Sequence, residues 1–139
     1  DPVALARNEG ALTELADWAC RQARGGPLLI YSTAAPETVQ RAQRELGRAE
    51  AAALLERAFG AVAAALASQG VRTFVVAGGE TSGAVLEALG ISMLGFGEEI
   101  EPGVPWTCSL DPEGFQLALK SGNFGSPEFL VNAIRMRTT

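Results

Sequence analysis

Apolar and polar positions alternate along the chain in two rhythms, one helical and one short and strand-like. From Ala11 to Ala23, Leu12, Leu15, Ala16, Ala19 and Ala23 recur at helical spacing with Trp18 beside the stripe, and Arg24-Gly25-Gly26-Pro27 stops the pattern. A short helical turn or linker precedes it from Asp1 to Asn8, with Pro2 suited to a first helical position. Leu28 to Tyr31 is wholly apolar and predicts a strand covered on both faces, closed by Ser32 and Thr33. Pro36 opens a helix over 37–46. After Gly47 the longest helix runs from Arg48 to about Ser68, with Leu55, Phe59, Val62 and Leu66 on one stripe. Thr73 to Ala77 predicts a strand, Gly78-Gly79 breaks it, and a helical pattern follows until Gly90. Beyond that, Ile91 to Gly95 predicts a strand, and 97–103 a loop carrying Glu98, Glu99 and Glu101. Pro105 to Leu110 predicts a further strand, and Asp111-Pro112-Glu113-Gly114 a turn. Phe115, Leu117 and Leu119 then alternate with Gln116, Ala118 and Lys120, the period of a half-buried strand. A last helix starts with Ser126 as N-cap and Pro127 at its first position. This order predicts one α/β domain over 1–139, with a mixed, mostly parallel sheet flanked by helices.

Composition narrows the chemistry. At 139 residues, 47% hydrophobic and 19% charged, the chain can bury a core and is not of the disordered class. A net charge of −5 argues against a nucleic-acid or anionic membrane surface, so no nucleic acid and no membrane is expected as a partner. A bound polyanion would have to be met by backbone dipoles, a few placed cations and a metal ion. The sequence has no histidine, which removes Ser-His-Asp triads, Cys-His nucleophiles and His-ligated zinc together. Two cysteines, Cys20 and Cys108, stand in dissimilar contexts and read as reduced thiols, with a disulfide left open. No apolar run in the sequence approaches the ~20 residues of a membrane span. The chain begins Asp1-Pro2 without an initiator Met and reads as a piece of something longer.

Two places carry candidate chemistry. In the first, a strand passes through Gly78-Gly79-Glu80-Thr81-Ser82-Gly83 into a helix. Such a turn presents backbone N–H groups at the positive end of a helix dipole, which suits a phosphate. Its glycines let a ligand approach where a Cβ would clash. Thr81 and Ser82 can cap the helix or reach a phosphate or its metal. The turn is neither a Walker A loop nor a Gly-x-Gly-x-x-Gly fingerprint, and an ordinary strand-to-helix turn remains open as the alternative. In the second place, Lys120-Ser121-Gly122-Asn123-Phe124-Gly125 again leads from a strand to a helix, now with a lysine at the strand end. Lys120 can neutralise a terminal phosphate or stand as a solvated edge lysine. The cluster Glu98, Glu99 and Glu101 could hold Mg²⁺, although adjacent glutamates ordinarily diverge into solvent.

Three motifs in order, Ala77-Gly-Gly-Glu-Thr-Ser-Gly-Ala84, Ile100-Glu-Pro-Gly-Val-Pro-Trp106 and Leu119-Lys-Ser-Gly-Asn-Phe-Gly125, resemble the C-terminal nucleotide-binding domain of the four-carbon acid sugar kinases. The resemblance covers nearly the whole chain. It implies ATP-dependent phosphorylation of a tetronate or 3-oxo-tetronate to its 4-phosphate by a cytoplasmic enzyme of two domains. The N-terminal domain, absent here, would carry an Asp-Asp motif and most of the sugar-acid site. By position, the resemblance implies an ATP site lined by Gly78, Gly79, Glu80, Thr81, Ser82 and Gly83, with Ser121, Gly122 and Asn123 as a second wall and Lys120 as the catalytic cation. Glu80 is awkward beside a triphosphate and is assigned to Mg²⁺ or to a ribose hydroxyl. The resemblance admits a homodimer. The competing expectation is a non-catalytic α/β module whose glycine turns are merely structural. A hydrolase with Thr81 or Ser82 as nucleophile lacks a neighbouring base.

Overall fold

Residues 1–8, 10–110, 114–121 and 125–138 are described by a computed structural model, and the chain falls into two units, Asp1–Gln69 and Gly70–Thr139. The first unit is helical: α1 (Pro2–Arg7), α2 (Ala11–Ala23), α3 (Pro36–Leu46) and α4 (Arg48–Ser68). Asp1 caps α1, its Oδ1 accepting from the Val3 N–H at 3.0 Å, and Pro2 fills the first turn. The other three helices pack against α4, whose buried residues are Ala51, Leu54, Ala58, Gly60, Val62, Ala63 and Leu66. The buried stripe therefore runs through Leu54 and Ala58, and the expected stripe members Leu55 and Phe59 lie half-buried beside it. Small side chains let neighbouring helices come close, so alanine takes the inner face and the larger residues fill its flanks. Arg7–Glu45 at 2.7 Å and Arg41–Asp1 at 2.8 Å join α1 to α3 on the surface.

One expectation for this unit needs correction. Leu28 to Tyr31 forms no strand; Leu29 and Tyr31 are 62% and 71% exposed. A strand exists only where a neighbour accepts its N–H and C=O groups, and among the described residues no ladder reaches this segment. Furthermore, α4 is long and apolar enough by length and composition to cross a membrane, with a mean hydropathy of 1.4. Its alanines raise hydropathy without breaking the helix, and its charged residues Arg48, Glu50, Glu56 and Arg57 all lie in its first half.

The second unit runs β1 (Thr73–Ala77), α5 (Gly79–Ala88), β2 (Leu94–Glu101), β3 (Val104–Ser109), β4 (Gln116–Lys120) and α6 (Phe129–Thr138). Its four-stranded sheet has the order β1-β4-β3-β2. Only β1 and β4 pair in parallel; β2–β3 and β3–β4 are antiparallel. The sheet is thus mixed as expected, but antiparallel pairs are the majority. Short connections cause this, because a tight turn can join only antiparallel neighbours. The segment expected as an acidic loop is the second half of β2, turning at Pro102-Gly103 into β3. Val104, Trp106, Ala118, Phe129 and Ala133 form a buried core between sheet and α6, with Val75, Ile100 and Met136 against it. The Arg137 guanidinium lies over the Trp106 ring at 4.6 Å. α5 packs on β1 and β4. The turn expected at Asp111-Pro112-Glu113 lies outside the described residues.

Candidate functional site

Parallel pairing of β1 and β4 decides where the candidate residues go. The register sets Ala77 beside Lys120, so both strands end together and both glycine corners leave the same edge of the sheet. Carboxyl ends of parallel strands are where open α/β sheets hold ligands. A main-chain hydrogen bond joins the corners directly, the Gly78 N–H donating to the Lys120 carbonyl at 2.7 Å.

At the first corner Gly78 has φ +114°, in the left-handed region that favours glycine, and serves as the N-cap of α5 without any side-chain cap. The expected capping by Thr81 or Ser82 does not occur. Ser82 is buried, and its Oγ donates to the Gly78 carbonyl at 2.8 Å while its N–H donates to the same oxygen at 2.9 Å. The hydroxyl is one turn too far along the helix to cap it, so it fastens the turn from inside. Gly79, Glu80 and Thr81 occupy the first turn, whose N–H groups have no acceptor within the helix. Glu80 and Gly83 are exposed. A Cβ added at Gly79 or Gly83 would meet nothing within 4 Å, and neither glycine has a positive φ.

At the second corner Lys120 ends β4 half-buried and Ser121 is exposed; Gly122 and Asn123 lie outside the described residues. Gly125 has φ +87°, and a Cβ there would stand 3.2 Å from both Lys120 Cε and Phe129 Cβ. Ser126 starts the run into α6 as expected, its Oγ accepting from the Glu128 N–H at 3.2 Å. The regular helix begins later, at Phe129.

The acidic residues of β2 do not converge. Glu99 Oε1 accepts from the Gly103 N–H at 2.7 Å and closes the β2–β3 turn. Glu101 bonds instead to α6 and the segment leading into it. Its Oε2 accepts from the Ser126 N–H, and its Oε1 accepts from Ser126 Oγ at 2.7 Å and Asn132 Nδ2 at 3.0 Å. The Ser126 N–H, then the Ser126 hydroxyl and the Asn132 amide, hold the Glu101 carboxyl below the usual carboxylate range; Lys120 adds to this and partial desolvation opposes it. Among the described residues no three Cys, Asp or Glu side chains gather as a metal site. Sequence reasoning missed the role of Glu101, since its partners stand 25 and 31 residues away and no local pattern links them.

Two grooves, of about 320 and 220 Å³, lie in the first unit; Tyr31, Ser32 and Leu55 line both, and Thr33 and Arg48 line the larger. No described residue of the glycine corners lines either groove. Both cysteines are free and half-buried.

Comparison with known proteins bears on this edge of the sheet. A 3-oxo-tetronate kinase of Cupriavidus necator is 50% identical over 97% of the chain, which covers 31% of that protein. The 3-oxo-tetronate kinase of Salmonella typhimurium is 42% identical over 87% of the chain. The chain thus spans about a third of the length of the curated relatives it matches. A crystal structure of a Haemophilus influenzae protein superposes with a TM-score of 0.89 at 34% identity, covering 98% of this chain and 33% of that one. A Bordetella bronchiseptica protein, crystallised as a domain-swapped dimer with bound citrate, matches 61% of this chain and 22% of its own with a TM-score of 0.54 at 29% identity. The model of the nucleotide-binding C-terminal domain matches residues 1–130, and the chain belongs to that family.

Proposed function

We propose that residues 1–139 act as the ATP-binding domain of a kinase that phosphorylates a four-carbon sugar acid, a tetronate or 3-oxo-tetronate, to its 4-phosphate. One observation carries this. Gly79 and Gly83 sit in α5 without positive φ and without a neighbour that a Cβ would strike. Neither backbone nor packing asks for glycine there, yet glycine within a helix costs roughly 0.5–1 kcal/mol relative to alanine. Four residues apart, the two open one face of the helix start to whatever lies against it. Close approach of a ligand accounts for both.

In this reading Gly78, Gly79, Glu80, Thr81, Ser82 and Gly83 form one wall of the site, and Ser121, Gly122 and Asn123 the other. First-turn N–H groups of α5 receive phosphate oxygens. Within that wall Ser82 holds the turn through the Gly78 carbonyl. Lys120 at the end of β4 neutralises charge as the phosphoryl group leaves. ATP supplies that group. Glu80 offers a single exposed carboxylate, which suits Mg²⁺ held mainly by phosphates and water. The sugar acid is bound by parts of the full-length enzyme outside this chain, in the cytoplasm where ATP is at hand. A homodimer accords with the dimeric Bordetella relative.

Thermal unfolding tests this reading. ATP or ADP at about 100 times its Kd should stabilise the protein by about 2.7 kcal/mol, more with Mg²⁺ than without. Gly83→Ala should raise the stability of the free protein by about 0.5–1 kcal/mol while weakening ATP binding. A Gly83→Ala protein that binds ATP as well as the parent removes the main support. Glu80→Gln should lessen the Mg²⁺ dependence, and an unchanged dependence would free Glu80 of that role.

A further inference from the structure

We propose that Glu101 is a positioning residue for the nucleotide: it clamps the Ser126 end of the second glycine corner and thereby sets where Lys120 stands. The inference rests on the nucleotide reading above.

The clamp has three contacts. Both carboxylate oxygens of Glu101 are engaged, with Ser126 N–H, Ser126 Oγ and Asn132 Nδ2 as donors. The Ser126 hydroxyl, donating to Glu101, accepts in turn from Glu128 N–H, which fixes its orientation. Transmission to Lys120 is steric. Gly125 precedes Ser126 and leaves no spare room, since even one added carbon there would crowd Lys120 Cε and Phe129 Cβ at 3.2 Å. Phe129 is 2% exposed and belongs to the core. Gly125 thus lies between the Lys120 stem and the buried Phe129 side chain, with too little space on that side for a side chain of its own. If Ser126 comes loose, Gly125 shifts and Lys120 loses its backing. Charge alone argues against a carboxylate here, because Glu101 is near enough to Lys120 to feel its field and would repel a phosphate held by that lysine. Geometry and charge thus predict opposite signs for its removal.

Titration calorimetry of ATP and AMP against the parent, Glu101→Ala, Glu101→Gln and Asn132→Ala separates them. The clamp predicts that Glu101→Ala weakens ATP binding about ten-fold or more, as loss of a supporting partner does elsewhere, and leaves AMP binding unchanged, since Lys120 serves the outer phosphates. Glu101→Gln should recover part of the loss, and Asn132→Ala should lose less than Glu101→Ala. Leu54→Ala, a core truncation far along the chain, should lower stability without selective loss of ATP. Equal or tighter ATP binding by Glu101→Ala overturns the proposal, as does an equal loss for ATP and AMP. Should Glu101→Ala fail to fold, unchanged ATP binding by both Asn132→Ala and Ser126→Ala overturns it. A parent protein that binds no ATP defeats the nucleotide reading itself, an outcome distinct from a parent that binds and a variant that binds as well.

Discussion

The two glycine corners leave the same edge of one sheet, yet they are fastened in different ways. The first is tied from within: the Gly78 carbonyl receives both the N–H and the hydroxyl of Ser82, four residues on. The second is tied from outside, by a carboxylate 25 residues earlier in sequence and an amide on α6. The first corner leans on a distant element only through the Gly78 N–H, which donates to the Lys120 carbonyl of β4. An externally tied corner depends on the β2–β3 turn and α6 holding their places. Its position is consequently a property of the whole second unit.

Three substitutions or conditions bear on this contrast. The largest effect is expected from Gly125→Val. Its φ of +87° and the 3.2 Å approach to Phe129 leave no strain-free solution, so denaturant unfolding should show a loss on the order of 3 kcal/mol. A loss below about 1 kcal/mol would mean that the second corner re-forms freely and is not tightly held. Ser82→Ala should cost about 1 kcal/mol and leave hydrogen-exchange protection of the Ser126 amide as it was. Protection lost at Ser126 would show the corners to be one structure. The smallest effect is acid-dependent. The folded Glu101 carboxyl lies below its ordinary range, so its contribution to stability is complete above about pH 4.3, the ordinary glutamate value, and disappears as pH falls through the lower folded value. In an NMR titration the Ser126 amide should move with a midpoint below that of an ordinary glutamate. Ser82, whose partner is a carbonyl, should keep its protection over the same range. A Ser126 midpoint at or above the ordinary value breaks the assignment.

What could be read from residues alone follows the same division. The helix from Ala11 to Ala23, the strand Thr73 to Ala77 and the strand ending in Lys120 show themselves through spacing and stop signals within a few residues. The first corner is legible because glycines, a strand end and a helix start stand next to one another, and of the second the strand end at Lys120 and the lead-in at Ser126 are legible in the same way. Leu28 to Tyr31 misled, since an apolar run states only that it wants cover, and a ladder must come from elsewhere. The Glu98 to Glu101 stretch misled in the opposite direction. Its charges read as loop, while pairing with β3 makes it strand. The capping expected of Ser82 fails because its burial depends on how α5 packs, which sequence spacing does not state. The majority of antiparallel pairs followed from short connections whose consequence was outweighed by the α/β rhythm.

The neighbouring of β1 and β4 has a bearing on how the molecule comes into being. β2, β3 and β4 can zip together through short turns, whereas β1 must close a long loop to find β4, and such distant contacts are slow to form. The pairing that joins Gly78 to Lys120 is thus the slowest of the sheet to form. A ligand that recognises only the completed pairing should therefore delay its unfolding without hastening its refolding.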